Sequence, residues 1–538
     1  MIRRGVRRLG PLPRSTALTP HALGLRGPAD PTLLERLAAL RTELELPPAF
    51  PAPVLAEAEA AAREVHAGLT GSPDHADRTA LPFVTVDPAG STDLDQALLL
   101  TPADDDGILV RYAIADVPAF VAPGGAVDAE AHRRGQTVYL PDGRVPLHPE
   151  VLSEDAASLL PDRDRPAFVW TFLLDAAGAV VETGLERARV RSRAQLTYGQ
   201  VQAFLDAQPG AQAPTTPRPG VTDADRAAAE GWPAEVRDSL ALLPEVGRRR
   251  AAQEAARGGA SLNLPDQEVR VTEDGAHELV HRAPLPAEEH NAQLSLLTGM
   301  AAAELMLAAG VGILRTMPAP DTDAVAAFRE RTRALGAPWD EGQDYGAYLR
   351  SLDPADARHL AVLHAATGLF RGAGYTAFDA QAEDPALRTP PDEPAQAALA
   401  APYAHATAPL RRLVDRFVLA LCHAHAIGAP APAWVRSALP ALPALMADSS
   451  RRASAASRTA ADLVEAAALE SRVGAELEGI AVREAKDGTE VWLLDPAVSL
   501  RVPGSVPAGT RVRVRIEGVD RASGAITAAG VDWPHSSR

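Results

Sequence analysis

One cysteine, Cys422, in 538 residues rules out an intrachain disulfide and any Cys-rich zinc site. No apolar run approaches membrane-spanning length. The arginines near the start (Arg3, Arg4, Arg7, Arg8) are followed by no apolar core of a signal peptide. No membrane association and a cytoplasmic setting are therefore expected. No Gly-rich phosphate loop, no Cys and His zinc spacing, no serine elbow and no internal repeat occurs, which argues against P-loop nucleotide hydrolysis and triad-type acyl chemistry. Basic residues are outnumbered, with 53 Lys and Arg against 70 Asp and Glu and a formal net charge of −17. That balance weighs against a nucleic-acid partner, because phosphate backbones reward positive surfaces, but local sign matters more in a channel. Arginine alternates at Arg187, Arg189, Arg191 and Arg193, and clusters at Arg248, Arg249 and Arg250. Such runs suit either solvated faces or a positive groove. A hydrophobic content of 46% is that of a folded chain, and the length allows two or three domains.

What is present is a concentration of acids after a short strand. Val84 and Val86 alternate with Thr85 as a half-buried strand would, and Pro88, Gly90 and Ser91 then turn the chain. Asp87 is left at the strand end. Asp93 and Asp95, two apart, project from one face of extended chain. Carboxylates crowded in this way repel one another unless a cation lies among them, and hard oxygen ligands select Mg²⁺ or Mn²⁺ over zinc. An acid-rich surface turn is the alternative.

Two further segments carry signals. In Tyr403 to Arg416, with His405, Thr407 and Pro409 at alternate positions, Leu410, Leu413, Val414, Phe417, Val418 and Leu421 repeat with helical spacing. Arg411, Arg412, Asp415 and Arg416 stay off that stripe. Thr407 as a cap and Pro409 in the first turn predict a helix N-terminus there, where guanidinium groups would clamp a phosphate. A solvated face with an Arg411 to Asp415 pair is the other reading. The third segment is Thr137-Val138-Tyr139-Leu140-Pro141, followed by Val145-Pro146-Leu147, Leu152-Ser153 and Ser158-Leu159-Leu160. By itself Tyr139 reads as a half-buried strand residue.

The three segments, in this order, resemble the ribonuclease II family, whose catalytic RNB domain is a 3′ to 5′ exoribonuclease. The resemblance extends over residues 76 to 538. It implies that Asp87, Asp93 and Asp95 occupy three of the family's four acidic positions, with Asp95 catalytic. Gln96 falls on the fourth, a neutral metal ligand where Asp is usual. Arg411 would contact the scissile phosphate with Arg412 beside it on the RNA, and Tyr139 would stack on a base near the 3′ end. The further family glutamate falls on Ser457. The implied function is Mg²⁺-dependent hydrolysis of single-stranded RNA to nucleoside 5′-monophosphates by a monomer. The alternative, motivated by Gln96 and Ser457, is an RNA-binding protein of the same fold whose catalysis is weak or lost.

The expected architecture is an α+β multidomain chain. Residues 1–75 are read as a small helical domain with a disordered start and helices over 31–41 and 54–68. Residues 76–470 are read as a mixed α/β catalytic domain with a Pro, Ala and Thr-rich loop over 211–219 and long helices over 287–309 and 451–469. Residues 471–538 switch to strand period and are read as a five-stranded OB barrel. The alternation Arg511, Arg513, Arg515 puts three charges on one face of a strand, which by resemblance grips single-stranded RNA.

Overall fold

The computed structural model describes residues 25–26, 31–208, 218–260, 266–271, 277–353, 356–369, 371–485, 487–496 and 498–533. The expected disordered start and most of the 211–219 loop lie outside them.

Helices α1 (Pro31–Glu43) and α2 (Ala52–Leu69) come first. Strand β1 (Phe83–Asp87) follows, buried from Phe83 to Val86, as a central strand with apolar residues on both faces should be. Then come β2 (Gln96–Pro102), β3 (Ile108–Ala115), the hairpin β4 (Val138–Leu140) and β5 (Gly143–Val145), β6 (Asp164–Leu174) and the long β7 (Val180–Thr197). Strand β1 pairs antiparallel with β2 and parallel with β7, and β2–β3, β3–β6 and β6–β7 are antiparallel. The five strands β1-β2-β3-β6-β7 thus close on themselves, which removes free edges. The length of β7 allows this, because its first part lies on β6 and its end turns onto β1, with Thr197 opposite Asp87.

Against this barrel pack α3 (Pro286–Ala309) and α4 (Leu413–Ala426). Val84, Leu98, Trp170, Leu294, Leu297, Phe417 and Val418 share one core. Contrary to the expectation that no segment reaches membrane-spanning length and apolarity, α3 does. Its Leu294, Leu297, Ala301 and Met306 are buried in the protein core, and it begins with Glu288 and Glu289.

The expected helices of the N-terminal region are present, and among the described residues each packs onto a different part of the chain. Leu33, Leu37 and Leu40 of α1 join the long helix α5 (Leu442–Glu470) and the C-terminal strands. Val54, Ala58 and Ala62 of α2 join Phe83, Leu94 and Leu159. The C-terminal strands β8 (Glu476–Ala485), β9 (Gly488–Leu493), β10 (Ser499–Val502), β11 (Arg511–Asp520) and β12 (Ala525–Val531) form one antiparallel sheet in the order β10-β9-β8-β11-β12. Val512, Val514 and Ile516 point inward and Arg511, Arg513 and Arg515 outward, as the alternation predicts.

The arginine ladder of β7 is not a free cationic stripe. Arg187 pairs with Asp116 at 2.6 Å, Arg189 with Asp77 at 2.7 Å and Arg191 with Asp164 at 2.6 Å. Arg249 holds Glu245 at 2.6 Å, and buried Arg250 donates to the Gly178 carbonyl. Both runs close strands and loops together.

Candidate active site

The turn between β1 and β2 is tied down at several points. Ser158 Oγ accepts from Leu94 N–H and donates to the Thr92 carbonyl, and Leu159 N–H donates to the Leu94 carbonyl. Asp95 is thereby driven inward and is only 4% exposed. Its Oδ1 accepts from the Leu410 amide at 2.8 Å, and its Oδ2 lies 3.8 Å from Arg411 Nε. Burial pushes the Asp95 carboxyl well above the usual range, against the opposing Arg411 charge and the Leu410 amide. Asp87 Oδ2 is shielded from solvent and has no hydrogen-bond partner. Burial, and next the Asp93 charge, push the Asp87 carboxyl up to about 7, with Arg411 opposing. Asp93 accepts from Arg144 Nη1 at 2.7 Å and from the Tyr139 hydroxyl at 3.3 Å.

Three of the predicted acids are therefore brought to one place, with Arg411 facing them. Among the described residues, however, no three Asp, Glu, His or Cys side chains form a ready metal cage. The donor set suits Mg²⁺ in a different way. That ion is usually held by one or two carboxylates, with water and substrate phosphate completing its shell. Asp87 offers an orphaned buried oxygen, and Asp93 keeps lone pairs beyond those its two donors use.

Gln96, expected as a neutral metal ligand, is engaged by protein partners in this structure. Its amide nitrogen donates to the Thr407 carbonyl at 2.5 Å, and its oxygen accepts from the Tyr112 hydroxyl at 2.5 Å and from Ser295 at 3.4 Å. The side chain bridges the acid turn, α3 and the segment leading to Arg411.

That segment also departs from expectation. The helix starts at Leu413, after Arg411 and Arg412, because Asp415 accepts from the Ala408 amide at 2.7 Å and stabilises a turn over 409–411. Arg412 is locked on Asp415 through two bonds of 2.9 Å, so its expected RNA contact is replaced by a structural one. Arg411 makes no such fork. Arg416, expected off the apolar stripe, is buried and paired with Asp128. Tyr139, expected to stack on a base, stands beside Asp93. On β11, Glu476 accepts from both Arg513 and Arg515, and Asp532 accepts from Arg513. Among the described residues Arg511 has no acidic partner.

An RNB-domain family model matches residues 76–427. The chain belongs to the RNB-domain family. A second model, the RNase II-type exonuclease C-terminal S1 domain, matches residues 475–531, the OB strands β8 to β12. Exoribonuclease 2 of Cronobacter sakazakii is 39% identical over 142 residues, 26% of this chain and 22% of that protein. Among solved structures, Mycoplasma genitalium RNase R in complex with ribose methylated single-stranded RNA superposes with a TM-score of 0.78 at 17% identity, covering 93% of this chain and 78% of that one. Yeast Ssd1, described as a pseudonuclease, reaches 0.61 at 15% identity, covering 82% and 53%. The matched stretches span 13% to 45% of the curated relatives' own length.

For an RNB-domain chain, sequence reasoning missed Arg144, Tyr112 and Ser295. Arg144 had a signal. It sits directly opposite Tyr139 in the β4–β5 hairpin, so a strand reading of that segment places it at the acids. Tyr112 and Ser295 reach Gln96 from distant chain segments and left no local trace.

Two predictions follow from this geometry. Asp87 has its folded-state pKa raised from 3.8 to about 7, so its contribution to stability is full below about 4 and is lost as pH rises through 7. In EDTA, Asp87→Asn should therefore gain melting temperature relative to the parent as pH rises from 4 to 7. A pH-independent difference would show that Asp87 does not titrate there. Gln96→Asp removes the donor to the buried Thr407 carbonyl and adds an anion to the acid turn. It should cost about 1–3 kcal/mol in urea unfolding and leave the Mg²⁺ needed for half-maximal activity no lower. A lowered Mg²⁺ requirement would mean that Gln96 is a ligand position after all.

Proposed function

We propose that the chain is a divalent-metal-dependent, hydrolytic 3′ to 5′ exoribonuclease that acts on single-stranded RNA and releases nucleoside 5′-monophosphates. The observation that carries this reading is the Arg411 guanidinium beside buried Asp95, next to the orphaned oxygen of Asp87. A bound Mg²⁺ would supply charge on the scissile phosphate and a water of lowered pKa. Asp87 would hold it, with Asp93 matched by Arg144 beside it. Asp95 accepts the Leu410 amide and so sets where Arg411 points, and Arg411 would stabilise the charge that develops on the phosphoryl oxygens. The Tyr139 ring, held at Asp93 through its hydroxyl, would offer a stacking surface indifferent to base identity. The same reading has the protein acting as a monomer in the cytoplasm, a reducing setting that suits the buried free thiol of Cys422.

A second reading, RNA binding with faded catalysis, draws support from Gln96, which brings no charge to the site and no free oxygen.

A 5′-labelled oligoribonucleotide incubated with Mg²⁺ or EDTA separates the two. Stepwise shortening from the 3′ end, with monophosphate release only in Mg²⁺, is expected. Tight binding without product under both conditions would favour the second reading. Arg411→Ala should lower the single-turnover rate by on the order of a hundredfold or more, with a much smaller change in RNA affinity. Lysine there should rescue only in part. Replacing Arg511, Arg513 and Arg515 together should weaken binding and flatten its salt dependence while the rate at saturating RNA holds. Affinity lost with the saturated rate preserved in Arg411→Ala would make Arg411 an RNA anchor.

A further inference from the structure

Arg144 is fixed from two sides. Its Nη1 donates to Asp93 Oδ1 at 2.7 Å, and its Nη2 donates to Thr92 Oγ1 at 2.8 Å and contacts Glu154. Thr92 Oγ1 in turn donates to Glu154 Oε2 at 2.7 Å. The β4–β5 hairpin sets Arg144 directly across from Tyr139, whose hydroxyl takes the other oxygen of Asp93. A guanidinium held by two carboxylates and a hydroxyl is preorganised, since its planar fork leaves little freedom once two edges are occupied. Arg144 is therefore a fixed positive charge on the wall of the acid cluster.

Phosphodiester displacement develops charge on both the attacking and the leaving oxygen, and two-ion sites meet it with two cations held a few ångströms apart by shared carboxylates. The ligands left for a second ion here are few. Asp95 gives one oxygen to the Leu410 amide and faces Arg411 with the other. Gln96 has its oxygen on Tyr112 and Ser295. Asp93 is matched by Arg144. Among the carboxylates of this cluster, Asp87 keeps a buried oxygen without a partner. A second divalent ion at Asp93 would meet the guanidinium at close range and be repelled.

We propose that this site binds a single divalent ion, at Asp87, and that Arg144 supplies at Asp93 the positive charge a second ion would otherwise bring. The inference rests on the exoribonuclease reading for its catalytic meaning, but the ion count does not depend on turnover. Mn²⁺ serves as the probe, with free ion read by its paramagnetic resonance signal during titration of the full chain without RNA. The parent protein should bind one Mn²⁺. Arg144→Gln, which uncovers Asp93 and Glu154, should bind two. Arg144→Lys, which keeps the charge, should stay at one.

In parallel, the dependence of RNA cleavage rate on Mn²⁺ should steepen in Arg144→Gln from a Hill slope near one toward two, a change that a merely structural role would not produce. Two ions in the parent or in Arg144→Lys, none in the parent, or one ion in a folded Arg144→Gln would each overturn the proposal. If Arg144→Gln does not fold, Arg144→Met, which also removes the charge, should bind two ions and decides it, a count of one in folded Arg144→Met overturning the proposal. Counts of one and two with no RNA degraded by the parent would remove the exoribonuclease reading and leave the charge assignment standing.

Discussion

Three carboxylates withdrawn from water within one turn of chain set the terms for everything around them. Removing an ionised carboxylate from solvent is unfavourable unless donors or cations replace the lost hydration. The fold meets this demand unequally. Asp95 receives a backbone amide and a neighbouring guanidinium, Asp93 receives Arg144 and the Tyr139 hydroxyl, and Asp87 keeps one buried oxygen with nothing to satisfy it. An unpaired buried acceptor beside other acids calls for a cation, and the proposed metal dependence rests on that demand more than on any spacing of residues.

The distant parts of the chain serve that turn. Ser158 and Leu159 hold its backbone. The Arg411 segment is locked from both ends, by Asp95 on the Leu410 amide and by Asp415 on the Ala408 amide. Gln96 ties the same segment to the acid turn through the Thr407 carbonyl. A neutral side chain makes that bridge without adding another anion to a cluster that already strains to hold three. Arg412, Arg416 and the β7 residues Arg187, Arg189 and Arg191 pair closely with acids inside the fold, while Arg411 has only the 3.8 Å approach to Asp95.

Much of this was legible in the sequence. The β-branched run ending at Asp87 and the period-two alternation through Arg515 gave strands that match β1 and β11, since burial on one face leaves a direct mark on residue order. The acids and Arg411 came together as the motif order implied. The position of Gln96 invites a ligand role, whereas its hydrogen-bond partners Tyr112, Ser295 and Thr407 are fixed only by tertiary packing and left no mark in the sequence. The helix start was misplaced for a related reason. Thr407 and Pro409 are ordinary start signals, but Asp415, already inside the helix, reaches back to the Ala408 amide and stabilises the turn instead. The helices over 31–41 and 54–68 were legible as helices, yet a helical pattern does not say which surface it meets, and the two meet different ones.

The most direct test of the central claim is anomalous diffraction from crystals soaked with Mn²⁺ and a non-hydrolysable single-stranded RNA. The account predicts one Mn²⁺ peak in coordination contact with Asp87 Oδ2, with the terminal phosphate between it and Arg411. An Asp87 oxygen satisfied by a protein donor, with no peak beside it, would contradict the account.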